Sequence, residues 1–178
     1  MIGAGGRRMA LIPDAGSDHN VIARPTGKGR FQAEIAVRGG FILADEPVEA
    51  GGGGTGPTPY ELLAAALAAC TAMTLKLYAG RKGWTLPPFS VEAVHSIVPA
   101  GADGAPPRDR FTRHIAFEGP LGSEEQAKLL GIADKCPVHR TLMRGFEIVT
   151  DIGTGAAAPL PAEPPTQHER DMEQACSD

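Results

Sequence analysis

The sequence has few cysteines, no long run of one charge and no apolar stretch of membrane-spanning length, and each shortage excludes something. Its formal charge is −4, with 17 Lys and Arg interspersed among 21 Asp and Glu. The electrostatic footprint of a nucleic-acid binder is missing, so nucleic acid is not an expected partner. The start, MIGAGGRRMALIP, carries basic residues but only a short apolar stretch from Met9 before Pro13 and Asp14. That is too little for the core of a secretory signal, so a cytoplasmic location is expected. The most apolar segment, Leu62 to Leu75, is short and Ala-rich against the roughly 20 residues a bilayer span requires, and it reads as a buried helix rather than a membrane anchor. Three cysteines in such a chain do not make a structural disulfide framework. Reactive or buried thiols are expected instead.

What remains is a chain of 178 residues, 42% hydrophobic, long enough to bury one core. Residues 1–19 are Gly-, Ala- and Arg-rich, and residues 153–178 mix Pro, Ala, Glu and Gln without an apolar face. Both read as flexible ends around one domain at 20–152. Phe31, Ala33, Ile35 and Val37 alternate with Gln32, Glu34, Ala36 and Arg38, the period of a half-buried strand. Glycine turns on either side bring in Val21-Ile22-Ala23 and Phe41-Ile42-Leu43, so a three-strand meander is predicted. The glycine run Gly51 to Gly56 lacks both a following Lys-Ser/Thr and a GxGxxG order, and reads as a plain loop rather than a phosphate cradle.

A long helix follows. Thr58 suits the N-cap, Pro59 the first helical position and Glu61 the capping-box position, and the pattern runs to a Lys/Arg/Gly stop at Arg81, Lys82 and Gly83. It is apolar nearly all round, with Cys70 at its centre. Ser90 to Val98 and Arg110 to Glu118 predict two strands, the second with Phe111, Arg113, Ile115 and Phe117 on one face. A capped helix is predicted from Ser123 with Gln126 three residues on, then Cys136 as N-cap of a short helix VHRTLM, then a last strand from Phe146 to Ile152. Hairpin-linked strands interrupted by helices favour α+β.

Two of the thiols could carry chemistry. At an N-cap, the Cys136 sulfur would face free backbone N–H groups and the positive end of a helix dipole, which lowers a thiol pKa, with His139 and Arg140 nearby. Its plainer reading is a small buried hydrophobe before proline, and Cys70 alone reads more readily as core. Cys136 and His139 could share a zinc ion, yet a second ligand pair is missing, so no metal site is expected. His95 and His114 are expected to face each other on a hairpin or to face solvent, and Cys176 to be an incidental exposed thiol in the tail.

Two long stretches, ADEPVEAGGGGTGPTPYELLAAALAACTAMTLKLYAGRKGW and IAFEGPLGSEEQAKLLGIADKCPVHRTL, resemble the OsmC/Ohr family, in the subgroup with ACTAMTL and KCPVHRTL signatures, over about residues 20 to 152. The resemblance implies an α+β OsmC-like fold, an antiparallel sheet with a long buried central helix, in an interlocked homodimer with active sites at the subunit boundary. It implies a peroxidatic role for Cys70 and a resolving role for Cys136 in the reduction of organic hydroperoxides. An external dithiol would restore the thiols, and neither metal nor organic cofactor is required. Hydroperoxidases of the family activate the thiol with an Arg from the N-terminal strands and a Glu near the start of the central helix. Here Arg24, with Arg30 as the other choice, could supply the first, while Tyr60 occupies the Glu position. The adjacent Glu61 lies nearly opposite Cys70 on the helix and reads as a cap. Leu63, Leu67, Met73 and Leu77 lie on the Cys70 side and are expected either to line an apolar substrate pocket or to be ordinary core. The departure at Tyr60 supports a second reading, an OsmC-like dimer with little peroxidase activity that binds a small apolar ligand or a partner.

Overall fold

The computed structural model describes residues 21–102, 104–154 and 166–176. Expected flexibility over 1–19 and over 155–165 lies outside the described residues. Contacts divide the chain into two compact units, Met1–Gly56 with Gly153–Pro165, and Pro57–Ile152 with Thr166–Asp178.

In the first unit the predicted meander forms: β1 (Ile22–Pro25), β2 (Ala33–Val37) and β3 (Gly40–Ala44) pair antiparallel in the order β1-β2-β3. Gly39, at a φ of +82°, turns β2 onto β3. The glycine run beyond β3 is a loop, as read from the sequence, but its amides do hold an anion: the chain's own Asp45. The buried Asp45 carboxylate accepts from the Gly53 amide at 3.1 Å, the Thr55 amide at 3.3 Å and the Thr55 hydroxyl at 2.8 Å. A side chain at Gly52 or Gly56 would run into the carbonyl of Glu46 or Leu43, so the loop's closeness to the strand requires glycine at both places.

The second unit is built on α1 (Pro59–Lys82). The expected capping box closes: the Glu61 amide donates to Thr58 Oγ1 at 3.2 Å and the Thr58 amide donates to Glu61 Oε2 at 2.7 Å. By length and hydropathy α1 also meets the requirement for a bilayer span, contrary to the sequence expectation, yet 44% of its most apolar stretch is buried within this one chain, as in a core helix. β4 (Phe89–Val98) and β5 (Arg108–Phe117) form a ten-residue antiparallel ladder. Leu75 and Tyr78 of α1 pack with Leu129, Ile132 and Ala133 of α2 (Ser123–Ala133), and Phe89, Ile115 and Phe117 of the hairpin pack against them. The N-cap of α2 is Gly122 rather than Ser123: its amide donates to Glu125 Oε2 at 2.9 Å, while Gln126 reaches back to the Leu121 carbonyl. α3 (Pro137–Arg144) starts at Cys136 as predicted.

Three expectations fail. Residues 146–152 form no strand and pair with neither sheet, although both sheets have open edges, and Phe146, Ile148, Val149 and Ile152 are exposed. Within the tail, Thr166–Ala175 form α4, and Cys176 is buried against α1, its sulfur 3.7 Å from the Thr74 carbonyl, rather than exposed. Arg81 holds α4 there, donating to the Glu173 carbonyl at 3.0 Å and pairing with its carboxylate at 3.3 Å. Finally, of the two alternatives for His95 and His114, facing each other fails, since His95 stands opposite Phe111 and His114 opposite Glu92, while solvent exposure holds for His114 and only partly for His95.

Candidate active site

The ACTAMTL stretch presents a polar stripe on a helix that is otherwise apolar. Cys70, Thr71 and Thr74 are all buried, Thr71 and Thr74 completely. Each hydroxyl donates back to a carbonyl one turn earlier, Thr71 to Leu67 at 2.7 Å and Thr74 to Cys70 at 2.8 Å. Opposite them Cys136, wholly buried, sits at the N-cap of α3. Its place follows from sequence: Pro137 takes the first helical position and forces Cys136 out of helical geometry, to φ −49° and ψ 130°.

The two sulfurs lie close enough for each to shift the other's titration, and they titrate as a pair. Both cysteines are free thiols, so no bond yet joins them. The Cys70 thiol, donating to Cys136 and desolvated by burial, is pushed far above the ordinary thiol range. The same hydrogen bond brings Cys136 down to about 6, helped by the His139 amide, the Thr71 hydroxyl and the Val138 amide, against the cost of burial. Those amides act through the field of the helix start, since the sulfur closes no cap hydrogen bond of regular geometry. The two shifts oppose each other, and the surroundings favour negative charge on Cys136 over Cys70.

A guanidinium stands behind the pair. Arg113 occupies the inward phase of β5, among Phe111, Ile115 and Phe117. It donates from Nη1 to Thr71 Oγ1 at 3.0 Å and to the Ala133 carbonyl at 2.9 Å, and from Nη2 to Asp134 Oδ1 at 2.9 Å. The sequence reading placed Arg113 on that face without making it a site residue. The overlooked signal was its charge: an arginine on the buried phase of a strand needs several acceptors, and they had to come from elements yet unplaced.

Other site residues expected from sequence are less gathered. Arg24 lies exposed on β1, in register with Glu34, in the first unit. Tyr60 is ten residues before Cys70, about 15 Å along the helix axis. It stacks on the His95 ring at 3.9 Å, and His95 in turn pairs with Asp109 at 2.7 Å. Within its own chain Tyr60 does not reach the sulfurs. The four apolar residues do not line one pocket: Leu67 is buried, Leu77 packs on the core, and Leu63 and Met73 are exposed. Core packing claims the inner two and leaves the outer two without a cover. A half-open cleft of about 400 Å³ with a mixed lining lies elsewhere, between β5 and α2, bordered by Ile115, Phe117, Leu121, Gln126 and Leu129 among others. Among the described residues no cluster of three His, Cys, Asp or Glu side chains could hold a metal ion.

Comparison with known proteins adds the following. The OsmC-like protein family matches residues 51–151, which include both cysteines of the pair. No curated protein matches the chain. Among solved structures, an OsmC-like protein from Mycoplasma pneumoniae is similar at a TM-score of 0.57 and 22% identity, over 72% of this chain and 89% of that one. An organic hydroperoxide resistance protein OsmC from Legionella pneumophila is similar at 0.53 and 23%, over 71% and 90%. The organic hydroperoxide resistance protein OhrB of Bacillus subtilis is similar at 0.52 and 22%, over 70% and 90%. At these identities the likeness speaks for the fold.

Proposed function

This chain belongs to the OsmC-like protein family, and from that premise we propose that it is a cytoplasmic, thiol-dependent peroxidase that reduces organic hydroperoxides through Cys70 and Cys136. The single observation that carries the reading is the burial of two free thiols close enough to shift each other's titration. Such a pair is built for making and breaking a disulfide, since bond formation needs little movement.

The steps balance as follows. Cys70 passes its proton to the Cys136 thiolate as its sulfur attacks the outer oxygen of the hydroperoxide. The O–O bond breaks, the leaving alkoxide takes that proton from Cys136 and departs as the alcohol, and Cys70 becomes a sulfenic acid. Cys136, its proton given up to the alkoxide and its thiolate stabilised by the Thr71 hydroxyl and the α3 amides, attacks the Cys70 sulfur. An S–S bond forms and hydroxide leaves, taking a proton from solvent to become water. Two exchanges with an external dithiol restore both thiols and oxidise the donor. Arg24 remains the proposed activator from the N-terminal strands, and Tyr60 occupies the place where hydroperoxidases of the family carry a glutamate.

We propose further that the working form is a homodimer. Exposed apolar residues on α1, Tyr60, Leu63 and Met73, and the uncovered run from Phe146 to Ile152 support a second copy as their cover. That cover would bury the exposed Leu63 and Met73 on the thiol helix.

Consumption of cumene hydroperoxide with a dithiol reductant tests the proposal. Cys70→Ser is expected to abolish it, and Cys136→Ser to leave a trappable sulfenic acid on Cys70. A sulfenic acid trapped on Cys136 in Cys70→Ser, with turnover retained, would exchange the two roles, which the charge on Cys136 favours. Consumption equally slow in wild type and both variants would favour the second reading, a binding dimer with little peroxidase activity. Its support is that Glu61 is engaged in the cap and Tyr60 lies away from the pair.

A further inference from the structure

Arg113 reaches three parts of the site at once. Its Nη1 bond to Thr71 touches α1 one residue after Cys70, and its bonds to Ala133 and Asp134 fix the turn that leads into Cys136. That turn is itself tied, since the Cys136 amide donates to the Ala133 carbonyl at 3.3 Å. The guanidinium is nearly buried, its side chain 11% exposed, although its ion-pair partner Asp134 is largely in solvent. A buried arginine whose donors go to a helix hydroxyl, a turn carbonyl and a carboxylate works as a clamp between those elements.

We propose that Arg113 is the positioning residue of the thiol pair, holding the Thr71 hydroxyl and the Ala133–Cys136 turn so that the Cys136 sulfur is presented to Cys70 at the start of α3. The inference rests on the thiol-redox reading of that pair and deepens it. Arg113 occupies a lone pair of Thr71 Oγ1, so the hydroxyl serves its other neighbours as a donor. Its proton goes to the Leu67 carbonyl at 2.7 Å, and the hydroxyl lies beside the Cys136 sulfur, whose thiolate it favours. Without the clamp the buried hydroxyl loses the partner that orients it, and the turn that presents the sulfur to the α3 amides loses two of its anchors.

The other charged or titratable groups around Cys136 do not replace this role. Cys70 of α1 donates to it. Lys135 precedes it, and the Asp134 carboxylate is held by Arg113, with the His139 ring of α3 4.0 Å from the same oxygen. Arg140 and Arg144 of α3 line a polar cleft with Asp171 of α4. Cys176 of α4 is pushed upward by burial. Because Asp134 offsets the charge of Arg113, its effect on the sulfur runs through hydrogen bonding and position more than through net charge.

The test is the ultraviolet thiolate absorbance of the reduced full-length protein against pH, for wild type, Arg113→Gln, Arg113→Lys, Thr71→Val and the Gln/Val double variant. The first wave in wild type is expected near pH 6, the value of Cys136. Arg113→Gln is expected to raise it by about one pH unit, a tenfold loss of thiolate on the low side of the wave. Lysine should recover part of that shift, since it keeps one donor but not the fork. The double variant should shift no further than the larger single one, because both act through the same hydroxyl. An unmoved wave in Arg113→Gln, or shifts that simply add, overturns the proposal. If Arg113→Gln does not fold, Thr71→Val decides alone, and an unmoved wave there overturns it. The titration uses no peroxide, so a failed peroxidase assay beside a shifted wave counts against the enzymatic reading and leaves Arg113 in place.

Discussion

Asp45 shows how one side chain can fix a loop. Three donors from Gly53 and Thr55 converge on one carboxylate oxygen, and the Glu46 amide reaches the other at 2.9 Å. The Thr55 hydroxyl is the main cause holding the Asp45 carboxyl below its ordinary range, with the Glu46, Thr55 and Gly53 amides adding to it against desolvation. A lowered folded value means that the stabilisation is full above the unfolded value and is lost as pH falls through the folded one. The urea midpoint of the wild type should therefore fall between about pH 5 and pH 2 more than that of Asp45→Asn. Equal slopes for the two would show that the carboxylate is not the anchor. Gly52→Ala should cost about 1–3 kcal/mol, because its methyl group meets the Glu46 carbonyl. Thermal unfolding reads it directly, and an unchanged Tm would mean that the loop relaxes freely.

At the scale of elements, α1 and the start of α3 place the two thiols. The start of α1 is a local matter, and Thr58→Ala should destabilise the protein by about 1 kcal/mol through loss of the cap, measurable in urea. No loss would mean that the helix start is held by packing alone. Such local features were legible in the sequence: the capping box, the proline after Cys136, the alternation of β2 and the glycine turns all act within a few residues. The thiol pair was legible only through the family motifs, since nothing local brings Cys70 to Cys136. Arg113 shows the limit most clearly. Its acceptors lie on α1 and at the end of α2, and no periodicity in β5 says which elements will pack over that face. Cys176 was misplaced for a similar reason: a polar helix was taken for a loose tail, while its fixation depends on Arg81, far away in sequence.

At the scale of the whole molecule, one copy leaves too much apolar surface in water. Ile148 and Val149 are 75% and 85% exposed, and Met73 of α1 is 55% exposed. A proposed second copy accounts for all three. Sedimentation velocity should therefore give a dimer for wild type and a smaller species for a variant carrying both Ile148→Asp and Val149→Asp. A wild-type monomer at micromolar concentration would remove the dimer from the proposal and leave the thiol pair to work alone.

The most direct measurement is a mass-spectrometric disulfide map after one equivalent of organic hydroperoxide. The expected product is a single intramolecular bridge between Cys70 and Cys136, with Cys176 still reduced, and no bridge at all in Cys70→Ser. Reduced Cys70 and Cys136 after the peroxide is consumed, or a bridge that bypasses Cys70, would contradict it.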